Sequence, residues 1–140
     1  MIKTTFVLDQ EKAALDQEKV ALAGLRAAQA LAHATALNAG WYRNPRTGEL
    51  IERNVGAAIA LMHSELSEAL EAHRRDLMDD KLPSRPGIEV EFADCIIRIL
   101  DTAEALGLDV AGAVIAKNRI NRDRADHKLS ARAAPGGKKF

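Results

Sequence analysis

Residues 91–101 read EFADCIIRILD. Phe92, Cys95, Ile96, Ile97, Ile99 and Leu100 make this stretch apolar almost all the way round a helix, which predicts a central element running from about Ile88 to Leu106. Gly107 is placed to cap its end. Residues three apart on an α-helix lie about 60° apart around its axis, so Glu91 and Asp94 share the one polar side. Upstream, DDKLPSRPG at 79–87 carries Pro83, Pro86 and Gly87 and must break any helix before it. A second helix is predicted from about Asn54, a good N-cap type, to about Met78, with Val55, Ile59, Met62, Leu66, Leu70 and Leu77 at helical spacing. Its segment SELSEALE, residues 64–71, projects Glu65 and Glu68 from one side. On a helical wheel Glu65 falls beside Ala58, Met62, Ala69 and Ala72, at the border of the apolar stripe.

Further out, residues 8–39 are rich in helix formers and carry a heptad echo, LDQEKAA, LDQEKVA, LAGLRAA. Leu8, Leu15 and Leu22 line one side, with Leu25, Ala14, Ala21 and Ala28 beside them, a narrow seam suited to helix packing or a subunit contact. Asn38 and Gly40 supply helix-ending residue types, and GWYRNPRTGELIERN at 40–54 reads as a loop through its Asn44-Pro45 and Thr47-Gly48 turn signals. Asp109 can N-cap a fourth helix running to about Asp126, and residues 127–140 read as a tail. The expected fold is all-α, a single four-helix bundle-like domain over 1–140, completed by oligomerisation.

Composition narrows the options. Apolar residues are 47% of the chain and aromatics 4%, so the core must be built from Ala, Leu, Ile and Val, which suits close helices better than a sandwich. Twenty basic residues balance twenty acidic ones, so net charge gives no reason to expect nucleic acid or a membrane surface as the main partner. The single cysteine, Cys95, excludes an internal disulfide framework and a multi-thiolate zinc site. No stretch approaches the length of a bilayer span and no leader segment is evident, so a reducing cytoplasm is the expected setting.

If the two acid pairs face each other, each like-charge contact at about 5 Å costs roughly 3 kcal/mol at an effective dielectric near 20. A cation must offset them, and hard oxygen ligands suit Mg²⁺, with Mn²⁺ as the other candidate, bridging to substrate phosphates. In KNRINRDR, residues 117–124, Lys117, Asn121 and Arg124 recur at i, i+4 and i+7, a phosphate-binding complement along one face. Trp41 and Tyr42 offer aromatic faces on which a nucleobase could stack.

The ordered set E-x-x-E (Glu65, Glu68), a spacer with a helix break, E-x-x-D (Glu91, Asp94), then Lys117, Asn121 and Arg124 resembles the signature of the all-α NTP pyrophosphohydrolases, the MazG-like clan. The resemblance spans residues 38–140 and extends to NAGW, LMHSELSEALEAHR and the terminal GGKKF. Each half-motif is weak by itself; the ordered set is far more specific. It implies Mg²⁺-dependent cleavage of a (deoxy)nucleoside triphosphate between its α and β phosphates, releasing a nucleoside monophosphate and pyrophosphate, with the ion held by the four acids. It also implies a homodimer or homotetramer. After Arg124 the sequence departs from the pattern, where ADHKLSARAAP intervenes.

Competing readings attach to the same residues. Phosphoribosyl-ATP pyrophosphohydrolase belongs to the same clan and uses a similar cradle. A non-catalytic helical oligomer would leave the acids as surface charge paired with Arg74, Arg75 or Arg98. Lys117, Asn121 and Arg124 would then be a solvated basic face, and Trp41 a plug at a core edge. Asp101 shares a side with Asp94, but Arg98 between them points to a structural ion pair. His33, His63, His73 and His127 show no metal-ligand spacing with the acids.

Overall fold

The computed structural model describes residues 2–139, with side chains described from residue 12 onward. It is all-α: α1 (Ile2–Asn38), α2 (Val55–Arg74), α3 (Gly87–Ala105), α4 (Val110–Asp123), a 3₁₀ turn (Ala125–His127) and a short α5 (Leu129–Ala133). The chain forms two compact units, one of residues 27–108 and one combining residues up to Arg26 with those from Asp109 onward.

In the unit spanning 27–108, α2 and α3 form the closely packed pair. Cys95 Sγ meets the Met62 carbonyl at 3.6 Å, and Gly87 approaches Ala72, so α2 running forward is matched by α3 running back. The helices are therefore antiparallel, and the Glu65–Glu68 segment lies across from Glu91–Asp94. Small side chains permit the approach: Ala58, Ala69, Ala72, Cys95 and Ala103 are buried, with Leu100 the largest apolar residue among them. A Cβ on Gly87 would stand 3.1 Å from the Ala72 methyl, closer than an ordinary contact, so a bare backbone is what fits there.

Both expected caps form. The Asn54 side chain accepts from Ala57 N at 2.9 Å, and Asp109 accepts from Gly112 N at 3.0 Å, each satisfying an N-terminal amide of its helix. Gly107 follows α3 at φ +66°, a left-handed turn that a side chain would oppose. α2 stops at Arg74, short of the expected Met78, because Asp76 takes a left-handed backbone at φ 49° and Leu77 N turns back to the Ala72 carbonyl at 3.0 Å. The 79–87 break is held by its own side chain, since Asp79 Oδ1 accepts from Lys81 N and Leu82 N.

The heptad seam is visible at its C-terminal end. Leu22, Leu25 and Ala28 are half-buried, and the same register continues into buried Gln29 and Ala32. Gln29 Nε2 donates to Glu104 at 2.8 Å and to the Leu108 carbonyl at 3.1 Å, so a polar residue sits where a fourth leucine would be expected. Leu15 is about half exposed, and the side chain of Leu8 lies outside those described.

In the other unit, α4 ends at Asp123 instead of Asp126. Arg124 is extended, at φ −64° and ψ 124°, and so leaves the helical face expected to carry Lys117, Asn121 and Arg124 together. Its guanidinium takes both oxygens of Asp126, at 2.9 and 2.6 Å, and that short-range bidentate pair competes with helix continuation. The segment read as a tail, 127–140, holds α5 and the last residue of the 3₁₀ turn. Here too Arg119 grips Glu18, its Nε at 2.9 Å.

Candidate metal centre and adjoining groove

Antiparallel pairing of α2 and α3 brings Glu65, Glu91 and Asp94 together, with one carboxylate oxygen from each inside a 4.8 Å span. Glu65 is buried, Glu91 and Asp94 half-buried. Glu65 is held at this depth by its place among Ala58, Ala69 and Ala72, all buried on the same helix.

Glu91 shows the electrostatic consequence. Partial burial, then a hydrogen bond shared with the Glu65 carboxyl, then the charges of Glu68, Glu65 and Asp94 push its pKa up to about 7. Two carboxyls can share such a bond only if one keeps its proton. Glu68, the fourth expected ligand, is exposed and lies outside the 4.8 Å set, though near enough for its charge to act on Glu91. It lines a shallow acidic groove of about 280 Å³ with Glu71, Asp79, Asp80 and Glu91.

On the other side, Asp94 borders a groove of about 260 Å³ whose walls include Trp41, Leu61, Ile97, Arg98 and Arg53. Trp41 is 69% exposed, so it plugs no core edge in this chain; its ring stands on the groove rim. The 40–54 loop sets it there through a backbone ladder, Ile51 N to the Tyr42 carbonyl at 3.1 Å and Asn44 N to Glu49 at 2.8 Å. Arg98 enters the cluster directly, its Nε donating to Glu65 Oε1 at 2.6 Å. Arg75 pairs with Glu71 instead, at 3.3 Å.

Asp101 is a structural ion pair, as its spacing suggested, but with Arg53 and not with Arg98. Its buried carboxylate accepts from His33 Nδ1 at 2.9 Å, from the Tyr42 hydroxyl at 2.8 Å and from Arg53 Nη1. Burial raises the carboxyl's pKa, but the three hydrogen bonds outweigh it and hold the group below its ordinary range. Burial and the Asp101 carboxylate push the Tyr42 phenol up. Arg53 also lies 5.2 Å over the Tyr42 ring, and the His33 ring meets that ring edge-on at 5.1 Å. Tyr42 is thus committed to the scaffold, leaving Trp41 as the free aromatic face. Sequence reasoning missed this hub. Its one signal was the Asp101 spacing, which pointed to an ion pair without naming His33, Tyr42 or Arg53 as partners.

Lys117 and Asn121 belong to the unit that contains α4. Lys117 is exposed, and the Asn121 side-chain oxygen is buried without a hydrogen-bond partner among the described residues. No family model, curated protein or solved structure matches the chain.

Proposed function

We propose that this chain is a divalent-metal-dependent hydrolase of phosphoanhydride bonds. Within that class it is a MazG-like nucleotide pyrophosphohydrolase, converting a (deoxy)nucleoside triphosphate to the monophosphate and pyrophosphate. The observation that carries the reading is the convergence of Glu65, Glu91 and Asp94 from two helices onto one 4.8 Å span, at a depth where Glu91 retains its proton to about pH 7. An all-oxygen donor set fits Mg²⁺ or Mn²⁺ and disfavours softer ions. Glu65, Glu91 and Asp94 would hold the ion, with Glu68 within electrostatic reach. When bound, the metal supplies charge neutralisation for a polyphosphate and lowers the pKa of a coordinated water.

The chain's own residues supply the rest. Trp41, exposed on the groove rim, offers a stacking face for a base, and the groove leads from it to Asp94. Lys117 and Asn121 belong to the other compact unit and Arg124 has left their helical face for Asp126, so the reading rests on no phosphate contact from these three. The reading includes a homodimer or homotetramer, supported by large apolar residues of α2 and α3 left exposed, Leu66, Leu70, Phe92 and Ile96 among them.

A nucleotide panel tests the reaction. Pyrophosphate release from at least one (d)NTP with Mg²⁺, lost in Asp94→Asn and Glu65→Gln, is expected. A folded wild-type chain that releases none from any nucleotide would sink the reading. The Arg98–Glu65 pair favours one competitor, a passive structural cluster. That alternative requires Mg²⁺ to leave thermal stability unchanged, whereas a site at 100 times its Kd gains about 2.7 kcal/mol.

A further inference from the structure

We propose that Arg98 is a phosphate-binding residue held in reserve: counter-ion to Glu65 without the divalent ion, and a grip on the nucleotide's phosphate oxygens with it. The inference rests on the metal-dependent reading above and assigns a group that reading does not use. Three observations point to it. Arg98 stands one helical turn beyond Asp94 on α3, so the two side chains leave the same side of the helix. Its Nε is bound to Glu65 at 2.6 Å, while its terminal amino groups have no hydrogen-bond partner among the described residues. It also lines the groove shared by Trp41 and Asp94, where its side chain is 34% exposed against 7% for that of Glu65.

A guanidinium and a dication compete for the one buried Glu65 carboxylate. At equal distances their mutual repulsion matches the dication's attraction to the carboxylate and is twice the guanidinium's, so the doubly charged ion has the stronger claim. Displaced from Glu65, Arg98 remains anchored by its stem on α3 and can carry its donors along the groove it lines. A planar fork of N–H donors with no protein acceptor is matched by a phosphate oxygen pair. The groove then has a direction: base against Trp41, phosphates toward Arg98 and Asp94.

The test uses the full chain with Arg98→Met, which keeps the apolar stem, and Arg98→Lys, which keeps the charge without the fork. Calorimetry with Mn²⁺ alone reads the first half of the proposal. Affinity for a non-hydrolysable dNTP analogue at saturating metal reads the second. The expected result is opposite in sign: Arg98→Met binds Mn²⁺ several-fold more tightly, yet binds the analogue about tenfold more weakly, the size of one charge-assisted hydrogen bond. Arg98→Lys should recover part of the analogue affinity. A merely structural arginine would weaken both affinities together, and that result, or no change in either, overturns the proposal. Wild-type chain that binds Mn²⁺ but hydrolyses no nucleotide defeats the pyrophosphohydrolase reading, while the Mn²⁺ comparison still decides whether Arg98 competes for Glu65. Failure of the wild type to bind any divalent ion overturns both.

Discussion

Glu91 carries a proton that an ordinary glutamate would have lost. Its folded pKa of about 7 lies above the roughly 4.3 of an unfolded glutamate, so between those values the native chain binds a proton that the unfolded chain does not. Stability from this group therefore falls as pH rises from about 5 to 7, the reverse of a salt-bridged acid. Denaturant titrations of metal-free protein across that window should show the decline, and Glu91→Gln should flatten it. Because a bound cation must displace the same proton, Mg²⁺ affinity is expected to rise over the same window and then level off. Asp101 behaves oppositely. Its carboxyl is held low by His33, Tyr42 and Arg53, so its contribution is present at neutral pH and lost as pH falls through its folded pKa. Asp101→Ala leaves Arg53 and Tyr42 without their buried acceptor and should cost about 3–5 kcal/mol in chemical denaturation. It should also loosen the loop that presents Trp41.

At the scale of elements, the site depends on where α2 begins and ends. Asn54 starts it by capping Ala57 N, and Arg53, the residue before, reaches Asp101 on α3. The cap and the hub thus set one end of the helix that carries Glu65. Asn54→Ala should lower stability by about 1 kcal/mol, read as a shift in the denaturant midpoint with little change in slope. At the other end, the left-handed Asp76 and the close approach of Gly87 to Ala72 set the register of the hairpin. Proline and glycine at 83, 86 and 87 announced a break in the sequence. They did not say that the helix would stop several residues earlier, since Asp is only a tolerated substitute for Gly in that conformation.

For the molecule as a whole, the interior is built from small side chains, and no large side chain among the described residues is fully buried. A chain with so many apolar residues outside exposes what a partner could cover, and the proposed homo-oligomer follows from that shortage of core. Sedimentation should show a species larger than the monomer, and paired substitutions Leu70→Lys and Ile96→Lys, both at exposed positions, should shift it toward monomer. No helix among the described residues is long and apolar enough to cross a membrane.

The amino-acid sequence alone made the all-α class, the caps at Asn54 and Asp109, and the shared sides of Glu65–Glu68 and Glu91–Asp94 readable, because helix periodicity and capping act over three or four residues. Tertiary structure alone decided that Glu65, Glu91 and Asp94 meet while Glu68 stands off, that Arg98 turns to Glu65, and that Asp101 gathers His33, Tyr42 and Arg53. Those pairings join groups tens of residues apart, and their choice rests on the antiparallel register of two helices and the path of the loop between α1 and α2, neither of which any local pattern encodes.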